Sequence, residues 1–158
     1  MAKLIENNEV KGIQLKEGQT VLGVDGNEYL IEKGDTLQER TGDWRLPDKE
    51  ELNLMYENLH LKGLGNFAFD YYWSSSEKLS YNAWFQDFND GDQYGTIKND
   101  GARVRAVRTY KSKGDFEIGQ ETATGFIFDI QGNTVFECKK EDEPKEMSWH
   151  EAMNKFGA

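Results

Sequence analysis

Residues 78–102 carry the side chains with the most evident chemistry, because this segment is rich in Asn, Asp, Gly, Tyr and Trp. Aromatic rings supply contact area at little entropic cost, while amides, carboxylates and hydroxyls supply adaptable hydrogen bonds. Strand-like patterns flank the segment at residues 72–77 and 103–108. Polar loops held by rigid strands are where binding sites concentrate. The composition therefore predicts a contact surface on a rigid frame rather than a catalytic centre.

Serine catalysis is the alternative raised by the three consecutive serines at 74–76. A serine nucleophile needs a general base within reach, and the chain contains only His60 and His150. Each histidine falls at the end of a predicted helix, so we expect surface or capping roles for both. We expect the serines to hydrogen-bond irregular backbone. The sequence predicts no enzyme activity.

The composition excludes several kinds of partner. A formal net charge of −10 opposes binding to nucleic acid and to anionic membrane surfaces, which depends on Lys and Arg. The single cysteine, Cys138, allows no intramolecular disulfide and no thiolate metal cluster, and we expect it in a strand. We expect neither a secretory signal nor a membrane span, and therefore synthesis in the cytoplasm.

The elements that must position residues 78–102 begin with strands. Strands are predicted over residues 10–15, 20–24 and 28–31, the last two joined by a hairpin turn at residues 25–27. Residues 36–43 are predicted to form a polar connector. A helix is predicted to begin at Asp48, with Glu51 completing a capping box, and to end at Gly63 and Gly65.

The C-terminal part repeats this combination of hairpin and helix. Residues 125–130 are predicted to pair with residues 133–138 across Gln131 and Gly132. Ser148 and Glu151 have capping-box spacing and open a second, short helix. Few helices, short strands and many turns predict an α+β fold with antiparallel sheet.

A family resemblance rests on four motifs in fixed order. They are Gly42-Asp43-Trp44-Arg45-Leu46-Pro47, Tyr72-Trp73-Ser74-Ser75-Ser76-Glu77, Ala83-Trp84 and Val104-Arg105-Ala106-Val107-Arg108. The series resembles the C-type-lectin-like domain of bacterial surface lectins and of the variable proteins of diversity-generating retroelements. Within that group it is most similar to the formylglycine-generating-enzyme-like subclass. The resemblance covers residues 42–108 and implies a C-type-lectin-like fold.

The order of the remaining segments departs from this family. A hairpin and helix of the type seen at residues 117–157 precede the first motif in the family, whereas here they follow the last. This order predicts a circularly permuted domain in which residues 156–158 lie close to residues 42–44; the alternative is a segment swapped between subunits. We divide the chain into a small β appendage, residues 1–40, and a domain, residues 41–158. The appendage serves docking or oligomerisation, or is merely extra sheet.

The resemblance also implies which side chains contact a ligand. The matching positions are Tyr81, Phe85, Asp87, Asn89, Asp90, Asp92, Tyr94, Thr96, Asn99 and Asp100. They alternate with expected frame residues, namely Ala83, Trp84, Phe88, Gly91, Lys98 and Arg103. Trp44, Trp73, Trp84 and Trp149 are expected in the core rather than as a ligand platform. The alternative for the whole segment is an ordinary Asn/Asp/Gly turn region.

The resemblance raises two kinds of cofactor chemistry, and we expect neither. The related enzymes use a cysteine pair, and this chain has one cysteine. Many C-type lectins bind calcium through about six to eight oxygens. Asp90, Asp92 and Asp100 are candidate ligands, but the Glu-Pro-Asn motif of the sugar-binding sites is absent. We expect no metal.

The expected function is recognition of a host surface protein or glycan by a phage virion or tail-associated protein. The alternative is a structural virion protein that uses the same fold for capsid or tail contacts. Residues 1–40 are the expected contact with other virion proteins. The oligomeric state stays open, with a homotrimer suggested by analogy to viral fibres.

Overall fold

The computed structural model describes residues 44–157 in full and, ahead of them, the backbone of five short strands. These are Ile5–Glu6 (β1), Glu9–Val10 (β2), Thr20–Leu22 (β3), Glu28–Ile31 (β4) and Leu37–Glu39 (β5). β1 pairs with β2, and β3, β4 and β5 form an antiparallel sheet. Pairing of Thr20 with Leu30 confirms the predicted first hairpin.

Two N-terminal predictions have different outcomes. The connector predicted over residues 36–43 is wrong at Leu37–Glu39, because this segment pairs with β4 through Leu37 and Ile31. A polar sequence can form an edge strand when a neighbouring strand supplies the hydrogen bonds. The turn at residues 25–27 and the strand residues 11–15 lie outside the described residues.

Helix α1 covers Lys49–Asn58 and begins with the predicted capping box between Asp48 and Glu51. It ends at Asn58, earlier than the predicted end at Gly63 and Gly65. A 3-10 turn, His60–Lys62, follows, and Gly63 ends that turn with a left-handed φ of 73°. The 3-10 turn keeps Leu59 buried. The helical spacing of apolar residues in the sequence therefore extends beyond the last residue of the α-helix.

The first sheet of the domain consists of β6 (Tyr71–Leu79), β7 (Asn82–Asp87) and β8 (Gln93–Ile97), all antiparallel. Bridges from Arg103 to Tyr72 and from Ala102 to Met147 extend it beyond β6. One face turns towards α1, since the Gln86 amide donates to Asn53 at 2.9 Å. The opposite face carries Trp73 and Ala83 into a core shared with the C-terminal helix.

The second sheet consists of β9 (Val107–Lys111), β10 (Gly125–Gln131) and β11 (Thr134–Lys139), in the order β10–β11–β9. The β10–β11 pairing confirms the predicted C-terminal hairpin. Helix α2, Trp149–Phe156, has the predicted capping box between Ser148 and Glu151. Two helices and short antiparallel strands in the described residues confirm the α+β fold class.

The ends of the domain meet in one hydrophobic cluster. Trp44 packs against the cluster that contains Trp149, Ala152 and Phe156. The Lys139 ammonium lies 5.3 Å from the Trp44 ring centroid and 5.7 Å from that of Phe156. The two rings are therefore close in space, although the chain separates them by the whole domain. No helix among the described residues is both long and apolar enough to span a membrane.

Candidate ligand-binding face

Three aromatic side chains form a row on one face of the first sheet. Tyr71 stacks on Phe85 with ring centroids 4.6 Å apart and an interplanar angle of 14°. Tyr94 meets Phe85 edge-on at 6.3 Å. Tyr71 and Tyr94 are 39% and 43% exposed, and Phe85 between them is half-buried. We call Tyr71, Phe85 and Tyr94 the aromatic strip.

The strip follows from strand register. Phe85 pairs with Trp73 on β6 and with Tyr94 on β8, so these three side chains share one face. Tyr71 lies two residues before Trp73 and therefore points the same way. Trp73 continues the row into the core, where it is fully buried. The buried Trp73 thus packs against Phe85 and supports the exposed tyrosines of the strip.

Tyr71 is the member of the aromatic strip that the sequence did not predict. It precedes the serine motif, outside the segment from which the resemblance drew its contact positions. The available signal was the two-residue strand period, which relates Tyr71 to Trp73. That period does not identify the neighbour across the sheet, so the stacking on Phe85 depends on tertiary structure.

Two carboxylates bracket Tyr94 and Thr96 on β8. The Tyr94 hydroxyl donates to Asp92 at 3.2 Å, and the Thr96 hydroxyl donates to Asp100 at 2.7 Å. Both aspartates are exposed. Thr96 pairs with Ala83 and so lies on the same face as the strip. Four of the predicted contact residues, Asp92, Tyr94, Thr96 and Asp100, are thus brought together there.

The acidic side chains of the turn after β7 differ, because one is buried in the turn and the other is exposed. The Asp87 side chain is buried and accepts hydrogen bonds from the backbone and side-chain N–H groups of Asn89, both at 2.9 Å. The exposed Asp90 accepts from the Asp92 N–H at 2.8 Å. Gly91 has a left-handed φ of 84°, and a Cβ there would lie 2.5 Å from the Tyr56 ring. Asp87 therefore supports the turn, while Asn89 and Asp90 are exposed.

Tyr81 and Asn99 lie at the other end of the sheet. Tyr81 sits in the turn between β6 and β7 and is 62% exposed. It is four residues from Phe85 along the chain, a separation of about 13 Å on a strand. The Tyr81 carbonyl accepts from the Lys98 N–H at 3.0 Å. Tyr81 and Asn99 are therefore exposed but do not belong to the aromatic strip.

The predicted frame residues in this region are held by buried contacts. Ala83 and Phe88 are fully buried. The buried Lys98 ammonium donates to Glu77 at 2.6 Å and to the Ser80 carbonyl at 2.8 Å, and it lies 4.3 Å from the Trp149 ring centroid. These contacts fasten the end of β8 to α2.

Arg103 is neutralised beside the strip. Its guanidinium donates to Asp70 at 2.9 Å. Partial burial by itself raises the pKa of Asp70, but hydrogen bonds from the Tyr71 N–H and from Arg103 outweigh that effect and hold the pKa below its usual value. The pair therefore stays ionised near neutral pH and leaves no free positive charge on Arg103.

The four tryptophans differ in how deeply they are buried. Trp73 and Trp149 are buried, as predicted. Trp44 and Trp84 are half-buried beneath cationic side chains, with Arg108 lying 4.2 Å from the Trp44 ring centroid. Lys49 and Lys78 lie 4.2 and 4.7 Å from the ring centroid of Trp84, which points away from the aromatic strip.

The serines and histidines have structural contacts. The Ser74 hydroxyl donates to the Trp84 carbonyl at 2.6 Å, and the Ser76 hydroxyl accepts from the Lys49 N–H, as predicted. His60 contacts the Phe88 carbonyl through Nε2 at 2.7 Å and packs on Phe69. His150 is exposed beside Trp149. These contacts give the serines no activating base.

Cys138 is the remaining candidate nucleophile, and its position makes it inert. It is fully buried in β11, as expected for a strand residue. Burial raises the pKa of its thiol to about 12, so the thiolate is scarce at neutral pH. Among residues 44–157, no group of three or more His, Cys, Asp and Glu side chains could hold a metal ion.

Comparison with known proteins identifies the domain. The family model of the Lcl C-terminal domain matches residues 27–108, which is more than half of the chain. The chain belongs to this family. The Lcl C-terminal domain family is C-type-lectin-like, which agrees with the α+β fold of this chain and indicates a lectin-like binding domain. No curated protein and no solved structure matches the chain.

The matched range has informative limits. It begins at residue 27, inside the segment that the sequence assigned to an N-terminal appendage. It ends at Arg108 and therefore covers α1, the first sheet and the motifs on which the resemblance rested. The C-terminal hairpin and α2 lie beyond it, although they pack into the same cores. The aromatic strip lies wholly inside the family region.

Proposed function

We propose that this member of the Lcl C-terminal domain family is a non-enzymatic recognition domain of a phage virion or tail assembly. It binds a host surface protein or glycan through residues 78–102, together with Tyr71. The observation that supports this proposal is the aromatic strip, in which Tyr71 and Tyr94 are exposed on either side of the half-buried Phe85. The inert thiol and the structurally engaged serines support a role without catalysis.

The strip has the properties of a binding hot spot. Tyrosine rings offer apolar area and a polar hydroxyl with few rotatable bonds, so they lose little entropy on binding. Phe85 fixes both neighbouring tyrosines from below, which reduces the cost of ordering them. The exposed hydroxyl, amide and carboxylate groups around the strip supply directional contacts. This combination suits recognition better than an ordinary turn does.

A second exposed apolar surface favours the alternative, an assembly role. Leu61, Leu64, Phe69 and Ile118 are all exposed, and Phe69 is 72% exposed. Leu64 lies beside Gly119, so residues 61–64 and the loop around Ile118 are neighbours. Grouped exposed apolar side chains mark protein interfaces. This surface would pack against other capsid or tail proteins.

Paired variants separate the two roles. In one variant Tyr71→Ala and Tyr94→Ala remove the outer rings of the strip, while the core-facing Phe85 is kept. We expect about a 10- to 100-fold loss of affinity for host cells, because interface aromatics contribute on the order of 1 kcal/mol each. Binding is measured with fluorescently labelled particles, and the melting temperature of the purified protein checks the fold.

The matched variant carries Leu61→Ser and Phe69→Ser in the second apolar surface. We expect these particles to assemble and to bind host cells normally. Failed assembly of the Leu61/Phe69 variant with normal binding by the Tyr71/Tyr94 variant would favour the structural role. Normal binding and assembly by both variants would show that neither surface serves the proposed function.

We also propose that the domain is a circular permutation of the formylglycine-generating-enzyme-like subclass. The shared cluster of Trp44 and Phe156 supports this proposal, because it brings the two ends together. Replacing both residues with cysteine should give a disulfide within one chain, seen on a non-reducing gel as a monomer whose two new thiols no longer react with a maleimide. A disulfide-linked dimer would instead favour a segment swapped between subunits, and no disulfide would contradict the proximity.

A further inference from the structure

We propose that the ligand of the aromatic strip is a polypeptide surface that presents Lys or Arg side chains. This inference rests on the proposed function and adds the chemical class of the ligand. It depends on the sign of the charges around the strip and on their arrangement on β8. It assigns cation recognition to the strip and its neighbouring aspartates.

The surface around the strip has an excess of acid. Residues 80–102 contain four aspartates, at positions 87, 90, 92 and 100, and one basic residue, Lys98. Asp90, Asp92 and Asp100 are exposed, whereas Lys98 is buried and paired with Glu77. The charges that face solvent here are therefore negative, in line with the net charge of −10 for the whole chain.

The carboxylates are oriented by hydroxyl groups on the strip side of β8. Tyr94 holds Asp92, and Thr96 holds Asp100. A hydroxyl donor occupies one lone pair and leaves the carboxylate its charge and further acceptor sites. Both aspartates can therefore accept hydrogen bonds from a ligand without first reorganising. A Lys or Arg side chain lying on Tyr94 would have one carboxylate on each side.

The nearby cations do not compensate this charge. Arg103 is paired with Asp70. Lys49 and Lys78 lie over Trp84, which points to the opposite face. In the part of the chain that the structure describes, none of these cations lies on the strip beside Asp92 or Asp100. The field at the strip thus attracts positive groups.

The chemistry favours a cationic polypeptide over other ligand classes. Sulfated or phosphorylated polymers would be repelled, because they need exposed Lys and Arg. A neutral sugar could stack on a tyrosine but would gain nothing from the charge. Lys and Arg gain from both features, since they bind aromatic faces by cation–π attraction and pair with carboxylates.

The test uses a random dodecapeptide library displayed on filamentous phage and selected against the immobilised full-length protein. We expect the selected peptides to be enriched in Lys and Arg relative to the unselected library. A synthetic copy of the most enriched peptide should lose about 10-fold in affinity on Asp92→Asn together with Asp100→Asn. It should lose about as much on Tyr94→Ala.

The matched control removes the same charge elsewhere. Glu57→Gln and Glu117→Gln neutralise two exposed carboxylates away from the strip and should leave affinity within about twofold. Equal losses in the control would show general attraction to an acidic protein and would overturn the inference. Raising the salt concentration from about 50 mM to about 0.5 M should weaken peptide binding to the native protein.

The remaining outcomes distinguish this inference from the proposed function. Peptides without Lys or Arg enrichment that still lose binding on Tyr94→Ala would overturn the cationic ligand and keep the recognition role. Neutral oligosaccharides on a glycan array that lose binding on Tyr94→Ala would have the same meaning. Peptides that bind native and Tyr94→Ala proteins equally would contradict both, and a failure to enrich any peptide would overturn the cationic ligand.

Discussion

Arg105→Ala should lower the free energy of unfolding by about 3–5 kcal/mol, because it leaves the partners of a buried charge without compensation. The Arg105 side chain is buried, and its Nε donates to Asp142 at 2.9 Å. Its other nitrogens donate to the carbonyls of Gly65, Asn66 and Lys139, and its guanidinium lies 4.1 Å from the Phe67 ring centroid. Urea unfolding followed by tryptophan fluorescence measures the change.

Arg103→Ala is the matched control. Arg103 also contacts Asp142, at 3.6 Å, but its side chain is far more exposed. We expect a loss of less than about 1 kcal/mol, as for surface ion pairs. Equal losses for the two variants would contradict the view that Arg105 joins the 65–66 loop, the end of β11 and the 139–142 segment. Arg105 therefore belongs to the frame rather than to the contact surface.

Trp73→Ala should cost about 3–5 kcal/mol of unfolding free energy, since it removes the largest fully buried side chain of the first sheet. The substitution also leaves the Met147 carbonyl without the indole N–H that donates to it at 2.9 Å. Trp73 packs on Phe85 at 5.7 Å, so the cavity would open directly beneath the aromatic strip. Thermal unfolding by circular dichroism measures the loss.

Trp84→Ala, on the neighbouring strand, is the comparison. Trp84 is half-buried and points to the other face, beneath Lys49 and Lys78. We expect a smaller loss of about 1–2 kcal/mol, because less apolar area is removed from contact. A larger loss for Trp84 than for Trp73 would show that the sheet is stabilised mainly by its face towards α1 and not by the face that carries the aromatic strip.

Arg105 and Trp73, the two residues with the largest expected losses, also bear on binding. Both side chains are buried, so their loss should weaken binding only by loosening the strip. Tyr71 and Tyr94 are the reverse, because they are exposed and contribute little to the core. The same sheet thus combines a frame that resists substitution with exposed positions that tolerate it. That division explains how a rigid fold can present a contact surface.

Local spacing was enough to predict several elements. Both helix starts were predicted, because a capping box depends only on two side chains three residues apart, as at Asp48 and Glu51. The hairpin across Gln131 and Gly132 was predicted for a similar reason, since its turn and its flanking strands are contiguous. The end of α1 was not, because a 3-10 turn and an α-helix bury Leu59 equally well.

Composition and residue order determined the class of this protein: an acidic, single-cysteine α+β domain with polar and aromatic side chains between two fixed strands. Only tertiary structure decided which of those side chains act together. Cross-strand register placed Tyr71 on Phe85 and turned Asp87 into the turn after β7. Sheet register is a long-range property, set by cores that join residues far apart in the chain. The composition of residues 78–102 therefore predicted a contact surface without predicting its centre.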